Sequence, residues 1–178
     1  MVVKNITVYC GSATGNDPAV ISATKELGLL MAKQNFTLVY GGGRVGLMGI
    51  LANTIMQNKG KVIGIIPKFL ADREVAHTEI TELHIVENMH ERKMKMIQLA
   101  DGFITLAGGL GSMEELFEVL TWRVLEQHHK PVGLLNTNGF YDPLLKMLAE
   151  MKAKGFVSQE ALDHLLCEKT PADLLRLM

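Results

Sequence analysis

The chain has 178 residues, 48% of them hydrophobic, and its 18 Lys and Arg nearly balance its 19 Asp and Glu, which gives a formal net charge of −1. This length favours a single domain, residues 1–178, with a full hydrophobic core. The near-neutral charge gives no electrostatic basis for binding nucleic acid or an acidic membrane surface, and no apolar stretch reaches the roughly 18 residues of a membrane span.

The two cysteines, Cys10 and Cys167, lie far apart in apolar runs. We interpret them as small buried residues in a reducing compartment rather than as a disulfide or a metal pair. The N-terminus leads directly into a strand-like run without the features of a signal peptide. We therefore expect a soluble, cytoplasmic α/β protein.

The first half of the chain alternates between strand and helix patterns. Two apolar runs end in glycine-rich turns, Gly11–Gly15 and Gly41–Gly46, and each turn leads into a helical pattern. Asn16 or Asp17, followed by Pro18, is typical of a helix start. The predicted strands are 6–10, 36–40 and 61–66, the predicted helices are 18–34 and 47–57, and residues 68–80 are predicted to form a loop with a short helical turn.

The second half continues the alternation. Helices are predicted over 89–100, after Gly111, and over 140–154 with Gly155 as its C-cap, and two short helices begin near Ser158 and at Thr170. The predicted strands are 84–86, 103–107, 131–135 and an edge strand over 165–167. Continuous apolar strands alternating with helices predict a parallel sheet with helices on both faces, a Rossmann-like doubly wound α/β fold. Ligands bind such sheets at the carboxyl ends of the strands, where the glycine-rich turns would meet.

The turn Gly108–Ser112 is the most informative stretch. It joins a buried strand to an amphipathic helix, so its backbone N–H groups and the helix dipole favour an anion such as a phosphate. Glu114, Glu115 and Glu118 follow at once. They are either a solvated first turn stabilised by the helix dipole or carboxylates that belong to the ligand site.

Gly41, Gly43 and Gly46 match the spacing of a dinucleotide-binding turn. The acid expected at the end of the next strand is absent, because that strand ends Ile-Ile-Pro-Lys at residues 65–68, so NAD binding is weakly supported. A nucleotide or phosphate contact, or tight packing of strand against helix, explains the glycines as well. No phosphate-binding loop of the Gly-x₄-Gly-Lys type is present.

The helix from Met89 carries cations close to its apolar stripe. Lys93 falls inside the stripe and Arg92 on its flank, so these side chains either extend over apolar surface to solvent or reach a buried or ligand anion. Glu87, before the helix, is a ligand contact or a charge that favours the helix dipole. The histidines show no metal-ligand spacing, and no serine-nucleophile elbow occurs.

Three motifs together resemble one family. They are Tyr-Gly-Gly-Gly-Arg-Val-Gly-Leu-Met-Gly at 40–49, Glu-Asn-Met-His-Glu-Arg-Lys at 87–93 and Ala-Gly-Gly-Leu-Gly-Ser-Met-Glu-Glu at 107–115. The chain resembles the LOG ("lonely guy") family of cytokinin riboside 5′-monophosphate phosphoribohydrolases over nearly its whole length, Cys-Gly-Ser opening included. Members of this family were long described as lysine decarboxylases. Two residues depart from the family signature Pro-Gly-Gly-x-Gly-Thr-x-x-Glu: Ala107 replaces Pro and Ser112 replaces Thr.

The resemblance implies hydrolysis of the N-glycosidic bond of a nucleoside 5′-monophosphate, AMP or an N6-modified relative, to free base and ribose 5-phosphate. Arg92 and Glu115 correspond to the family's catalytic pair, Lys93 and Thr121 to residues that line its substrate pocket, and the family's dimers imply a homodimer. We expect neither a metal ion nor a cofactor. The full set of expected substrate contacts, from the motifs and the resemblance together, is Gly11, Ser12, Gly42, Gly43, Met48, Glu87, Lys93, Gly108, Gly109, Leu110, Gly111, Ser112, Glu114 and Thr121.

Two other classes stay open at this point. A non-catalytic nucleotide-binding or carrier protein on the same fold would fit the glycine-rich edge and the Ala107 departure. A lysine decarboxylase would need a pyridoxal-binding lysine in a much larger fold, a context that the sequence does not supply. Ser112 keeps the hydroxyl donor of the family's Thr, whereas Ala107 removes a rigid residue from the entry of the turn.

Overall fold

The computed structural model describes residues 3–72 and 76–178 of the chain. The strands are β1 (Asn5–Tyr9), β2 (Thr37–Tyr40), β3 (Lys61–Pro67), β4 (Glu82–Val86), β5 (Gly102–Thr105), β6 (Val132–Leu135) and β7 (Leu165–Glu168). The helices are α1 (Pro18–Lys33), α2 (Gly46–Gln57), α3 (Lys68–Ala71), α4 (Met89–Leu99), α5 (Leu110–Val124), α6 (Asp142–Ala153), α7 (Gln159–Asp163) and α8 (Pro171–Arg176). Within the predicted loop over 68–80, α3 is the expected helical turn, and residues 73–75 lie outside the described residues.

The strands form one parallel sheet in the order β4-β3-β2-β1-β5-β6-β7. The chain builds outward from β1 to β4, then returns to the other side of β1 and builds outward again. In the central pairs Ile6 lies opposite Leu38 of β2 and opposite Gly102 of β5. This confirms the predicted doubly wound fold, and it places the switch point between β1 and β5, where such sheets bind ligands.

A hydrophobic core lies on each face of the sheet. Side chains of β1 alternate between them: Ile6 and Val8 join α1, α2 and α8 on one face, whereas Tyr9 joins α4 and α5 on the other. Thr7 is also buried on the second face, where its hydroxyl donates to the Met96 carbonyl of α4 at 3.0 Å. Full burial of a Leu or Ile side chain contributes about 1.5–3 kcal/mol, so the two cores fix both helix layers to the sheet.

Most predicted helix ends are confirmed. Asp17 caps α1 by accepting from the N–H of Ala19 at 2.8 Å, and Thr170 caps α8 by accepting from the N–H of Asp173 at 3.2 Å. Gly155, at φ +78°, follows α6 in the left-handed conformation expected of a C-cap residue. Both cysteines are free, as predicted, and Cys10 is buried.

Two boundaries differ from the prediction. The helix expected from Phe140 begins at Asp142, because the Asn136 side chain accepts from the N–H of Tyr141 at 2.7 Å and a 3₁₀ turn precedes it. The third strand includes Pro67 rather than ending before it. A proline at the last position of a strand removes only one ladder donor, so the pairing with β4 continues to that residue.

Candidate active site

The candidate site lies at the carboxyl edge of the sheet, beside the β1/β5 switch point. It is a cavity of about 250 Å³ between the turns that follow β1, β2 and β5 and the first turns of α4 and α5. The residues that line it are Val8, Tyr9, Cys10, Gly11, Ser12, Gly41, Met48, Leu70, Met89, Arg92, Met96, Gly109, Leu110, Gly111, Ser112, Glu114 and Glu115. Of the residues expected from the sequence, this cavity brings together both members of the catalytic pair and eight of the substrate contacts.

The turn before α5 has the geometry of an anion site. Gly109 is the N-cap of α5 and supplies no side-chain cap, so the first N–H groups of the helix have no side-chain acceptor there. A Cβ added at Gly109 or Gly111 would meet no atom within 4 Å, which leaves open space above the backbone. A Cβ at Gly108 would lie 2.2 Å from the Ser112 hydroxyl. Close packing at Gly108 thus holds a turn whose outer backbone is bare.

Arg92 is held in the cavity by backbone carbonyls. Its Nε donates to the Ile65 carbonyl and its Nη2 to the Gly41 carbonyl, both at 3.3 Å, and its Nη1 contacts the sulfur of Met89 at 3.8 Å. A Cβ at Gly41 would come within 1.9 Å of Nη2, so only glycine at this position admits the guanidinium. The residue predicted on the flank of the helix stripe therefore has its planar fork fixed at the end of β2 and β3.

Glu115 lies on the cavity wall and is only 9% exposed. The helical pattern places it opposite an apolar face of α5 that includes Val124, and the prediction was wrong about that face, because Val124 is exposed and Val119 is buried. Glu115 is buried on its own side because that side faces the cavity. Burial raises the pKa of its carboxyl to about 7, with Glu114 and Glu118 adding to the rise and Arg92 and Lys93 opposing it.

Lys93 lies outside the lining of this cavity. Its amine binds the carboxylates of both Glu114 and Glu118, with 3.0 Å between Nζ and Oε1 of Glu118. Burial opposes the charge on Lys93, but the two carboxylates outweigh it and raise the pKa of the amine. The interpretation that Lys93 extends to solvent is wrong, and the anion that it meets belongs to the protein itself.

Four other expected contacts also lie apart from the cavity. Gly42, at φ +75°, packs against β3, and its carbonyl accepts from the N–H of His77 at 2.9 Å. Gly43 forms a bridge with Ala76. The side chains of Glu87, before α4, and of Thr121, in the last turns of α5, are exposed. The second glycine-rich turn therefore contributes Gly41 to the cavity, and its next two glycines serve packing.

A second cavity of about 280 Å³ adjoins the first and shares Gly11, Ser12 and Gly109 with it. Gly108 lines this second cavity rather than the first. Ala107, the departure from the family signature, lies on its wall, and Phe140 lies at the same cavity. The shared residues belong to the turns after β1 and β5, so the candidate phosphate turn separates the two spaces.

Sequence reasoning missed several cavity residues. Tyr9 and Cys10 end β1, and the rule that ligands meet the carboxyl ends of strands was a signal for both. The pKa of Tyr9 is raised, by burial first and then by Glu115, and the same two causes raise the pKa of Cys10. Leu70, Met89 and Met96 add apolar walls. Leu70 follows a strand whose contact with the site no motif announces.

Two structural searches complete the description of residues 3–72 and 76–178. Within these ranges no helix is long and apolar enough to cross a membrane. In the same part of the chain no three His, Cys, Asp or Glu side chains are grouped as ligands for a metal ion.

Comparison with known proteins identifies relatives over almost the whole chain. Residues 48–178 match the family described as possible lysine decarboxylase. The chain is 44% identical to the cytokinin riboside 5′-monophosphate phosphoribohydrolase LOG of Oryza sativa subsp. japonica over 97% of its own length and 71% of that protein. It is 46% identical to the enzyme of the same name from Rhodococcoides fascians, over 87% of this chain and 79% of that one.

Solved structures resemble the fold at lower identity. A molybdenum cofactor binding protein from Rippkaea orientalis aligns with a TM-score of 0.73 and 21% identity, covering 99% of this chain and 96% of that chain. The molybdenum cofactor carrier protein of Chlamydomonas reinhardtii aligns with a TM-score of 0.72 and 16% identity, covering 98% and 94%. These likenesses support the fold alone. The matched family and the relatives above 40% identity show that the chain belongs to the LOG family of cytokinin riboside 5′-monophosphate phosphoribohydrolases.

Proposed function

We propose that this protein hydrolyses the N-glycosidic bond of nucleoside 5′-monophosphates and releases the free base and ribose 5-phosphate. The observation that carries the proposal is the cavity itself, which joins the bare N-terminus of α5 to a buried carboxylate and a fixed guanidinium. The named activity of the relatives at 44% and 46% identity supports the same reaction. The anion site and the carboxylate would then serve opposite parts of one substrate.

The phosphate would bind at the turn before α5. Gly109 and Gly111 expose backbone N–H groups to open space, and the dipole of α5 adds a favourable potential for negative charge. The Ser112 side chain, which packs against Gly108, supplies a hydroxyl in the same turn. Binding energy at the phosphate would position the sugar without taking part in bond cleavage. The expectation that Ser112 replaces the family's Thr without loss of phosphate binding follows from this geometry.

The reaction centre would lie beside Glu115 and Arg92. As the bond between C1′ and the base nitrogen breaks, positive charge develops on the sugar, as in glycoside hydrolysis generally. The Glu115 carboxylate stabilises that charge and takes a proton from the water whose oxygen bonds to C1′. The bonding electrons leave with the base, which acquires a proton. The Arg92 fork, fixed by two carbonyls, anchors the substrate or polarises the leaving base.

The pKa of Glu115 sets an expected pH profile. Because burial raises this pKa to about 7, the carboxylate form is scarce at pH 6 and dominant at pH 8. If the carboxylate is the active form, kcat/KM rises with pH through about 7 and then levels. A rate that falls over the same interval would instead make Glu115 the acid that protonates the leaving base.

The decisive experiment is chromatography of free bases released from a panel of nucleoside monophosphates that includes AMP and N6-prenylated AMP. We expect base and ribose 5-phosphate in equal amounts, and little release from the 5′-dephosphorylated nucleosides. Glu115→Ala and Arg92→Ala should each lower kcat/KM by about 100-fold or more, in the range seen for loss of one electrostatic or acid–base group.

Glu150→Ala and Arg176→Ala are matched controls, because both side chains form exposed ion pairs within their own helices. Such pairs contribute about 0–1 kcal/mol, so turnover should not change. Unchanged turnover in Glu115→Ala or Arg92→Ala would refute the assigned roles.

A carrier or binding protein on this fold is the second candidate. It is motivated by Ala107, which removes a rigid residue from the entry of the phosphate turn, and by the glycine-rich edge. Calorimetry that detects tight nucleotide binding while no base is released would favour it. A decarboxylase of the pyridoxal type needs a lysine amine at the cavity, and among the described residues that line the cavity the cation is Arg92.

We further infer that the chain is one domain and works as a cytoplasmic homodimer. The apolar side chains of Ile85 on β4, Met94 on α4 and Leu125 after α5 are exposed, and Leu110, at the cavity wall, is 90% exposed. A second subunit that covers them would also shield the site from water. Sedimentation of the wild type and of Met94→Glu tests the dimer, and a single unfolding transition tests the single domain.

A further inference from the structure

Lys93 joins the two helices that carry the proposed catalytic pair. It follows Arg92 on α4, and its amine binds Glu114 and Glu118 on α5, the first of which directly precedes Glu115. The bridge is therefore one residue removed from each member of the pair. The Lys93 side chain is 12% exposed, which makes it the most buried member of the bridge.

This bridge differs from ordinary surface ion pairs. Exposed pairs contribute about 0–1 kcal/mol because water screens them and both side chains lose freedom. Here a mostly buried amine binds two carboxylates on a different helix, 21 and 25 residues away along the chain. Loss of one partner from such a bridge leaves charge uncompensated in a poorly solvated place, which costs more than an exposed pair contributes.

The charges around Glu115 come from three elements. Arg92 and Lys93 face it from α4, Glu114 and Glu118 lie on its own helix, and the Tyr9 and Cys10 side chains at the end of β1 are neutral at ordinary pH because burial and Glu115 raise their pKa. Glu114 and Glu118 raise the pKa of Glu115, whereas Arg92 and Lys93 lower it. The amine thus compensates the same two carboxylates that it binds.

We propose that Lys93 is a positioning residue for Glu115: it fixes α5 against α4 and neutralises Glu114 and Glu118 beside the reaction centre. The inference rests on the proposed function for its consequence in catalysis, but the effect on Glu115 is a property of the protein alone. It assigns Lys93 a role without direct contact to the substrate, in keeping with its place outside the cavity lining.

The proposal predicts opposite shifts from the two ends of the bridge. Lys93→Met leaves two uncompensated carboxylates, so the titration midpoint of Glu115 should move to higher pH. The double variant Glu114→Gln with Glu118→Gln leaves an uncompensated ammonium, so the midpoint should move to lower pH. Carboxyl ¹³C NMR, with the Glu115 signal assigned by its loss in Glu115→Gln, measures both shifts without substrate. Lys93→Arg keeps the charge and should titrate close to the wild type.

Kinetics supply the second readout. In Lys93→Met we expect kcat for base release to fall at least tenfold at neutral pH, KM to change less than threefold, and the rise of kcat/KM to shift to higher pH. The triple variant with both glutamines should recover the pH profile. A raised KM with unchanged kcat and an unmoved midpoint would overturn the proposal and make Lys93 a substrate contact. If Lys93→Met does not fold, the double glutamine variant decides by the sign of its shift. If the wild type releases no base, the proposed function fails, and the NMR shifts still decide the role of Lys93.

Discussion

The two glycine-rich turns at the site, Gly41–Gly46 and Gly108–Ser112, have similar composition and different functions. A side chain at Gly41 or Gly46 would collide with Arg92 or with the Ser12 backbone, at 1.9 and 2.2 Å. Gly109 and Gly111 face open space. Glycine thus permits close protein packing in the first turn and leaves room for a ligand in the second. The comparison teaches that a glycine motif indicates an anion site only where the space above the glycine is empty.

Gly41→Ala tests the packing turn and should have the largest effect. The added methyl occupies the position of the Arg92 guanidinium, which is the end of a flexible side chain and can move without unfolding the protein. A displacement of about 1 Å in a catalytic group costs about 100-fold, so kcat/KM for base release should fall to that extent while the circular dichroism spectrum stays native. Retention of full activity would show that Arg92 does not need its contact with Gly41.

Glu115→Gln tests the helix that follows the open turn. At pH below 4.5 the carboxyl is neutral in both the folded and the unfolded chain, whereas between pH 4.5 and about 7 the unfolded chain ionises first and stability is lost. Above pH 7 the loss is complete and of the order of 3 kcal/mol, from a pKa raised from 4.5 to about 7. The variant should therefore unfold roughly 5–10 °C higher than the wild type at pH 8 and almost equally at pH 5, as scanning calorimetry can measure. An equal difference at both pH values would show that ionisation of Glu115 is not the cause.

The comparison also shows what the sequence could predict. The sheet, the helix layers and the edge that carries the site followed from apolar runs and glycine turns, because these patterns depend on local periodicity. The burial of Glu115 did not, since the helical pattern describes one face of α5 and cannot report that the other face closes a cavity. The partners of Lys93 and the carbonyls that hold Arg92 also required the fold, because they join residues at least 21 positions apart. Tyr9 was within reach, as the last residue of a strand whose turn was already suspected.

Gly111→Ala tests the open turn and should have a moderate effect of two opposite kinds. Gly111 lies in the first turn of α5, and alanine in its place favours the helix by up to about 1 kcal/mol. The methyl would project into the space expected for the phosphate, so KM for AMP should rise roughly tenfold, about 1.4 kcal/mol of binding. Thermal unfolding and steady-state kinetics of the same preparation measure both changes. A variant that is more stable and binds AMP as tightly as the wild type would place the phosphate elsewhere.

Ala107→Pro restores the residue of the family signature and should have the smallest effect. Ala107 lies on the wall of the second cavity rather than the first, and its carbonyl accepts from the N–H of Gly11 at 3.1 Å, a bond that proline keeps. The ring limits the unfolded chain, so we expect a gain of up to about 1 kcal/mol in stability if the native backbone fits a proline. Because the phosphate turn and Glu115 lie beyond this position, kcat and KM for AMP should change less than threefold. A larger gain in kcat would mean that the mobility of the turn's entry limits turnover in this chain, and the open turn would then need rigidity on its strand side as well as bare backbone on its helix side.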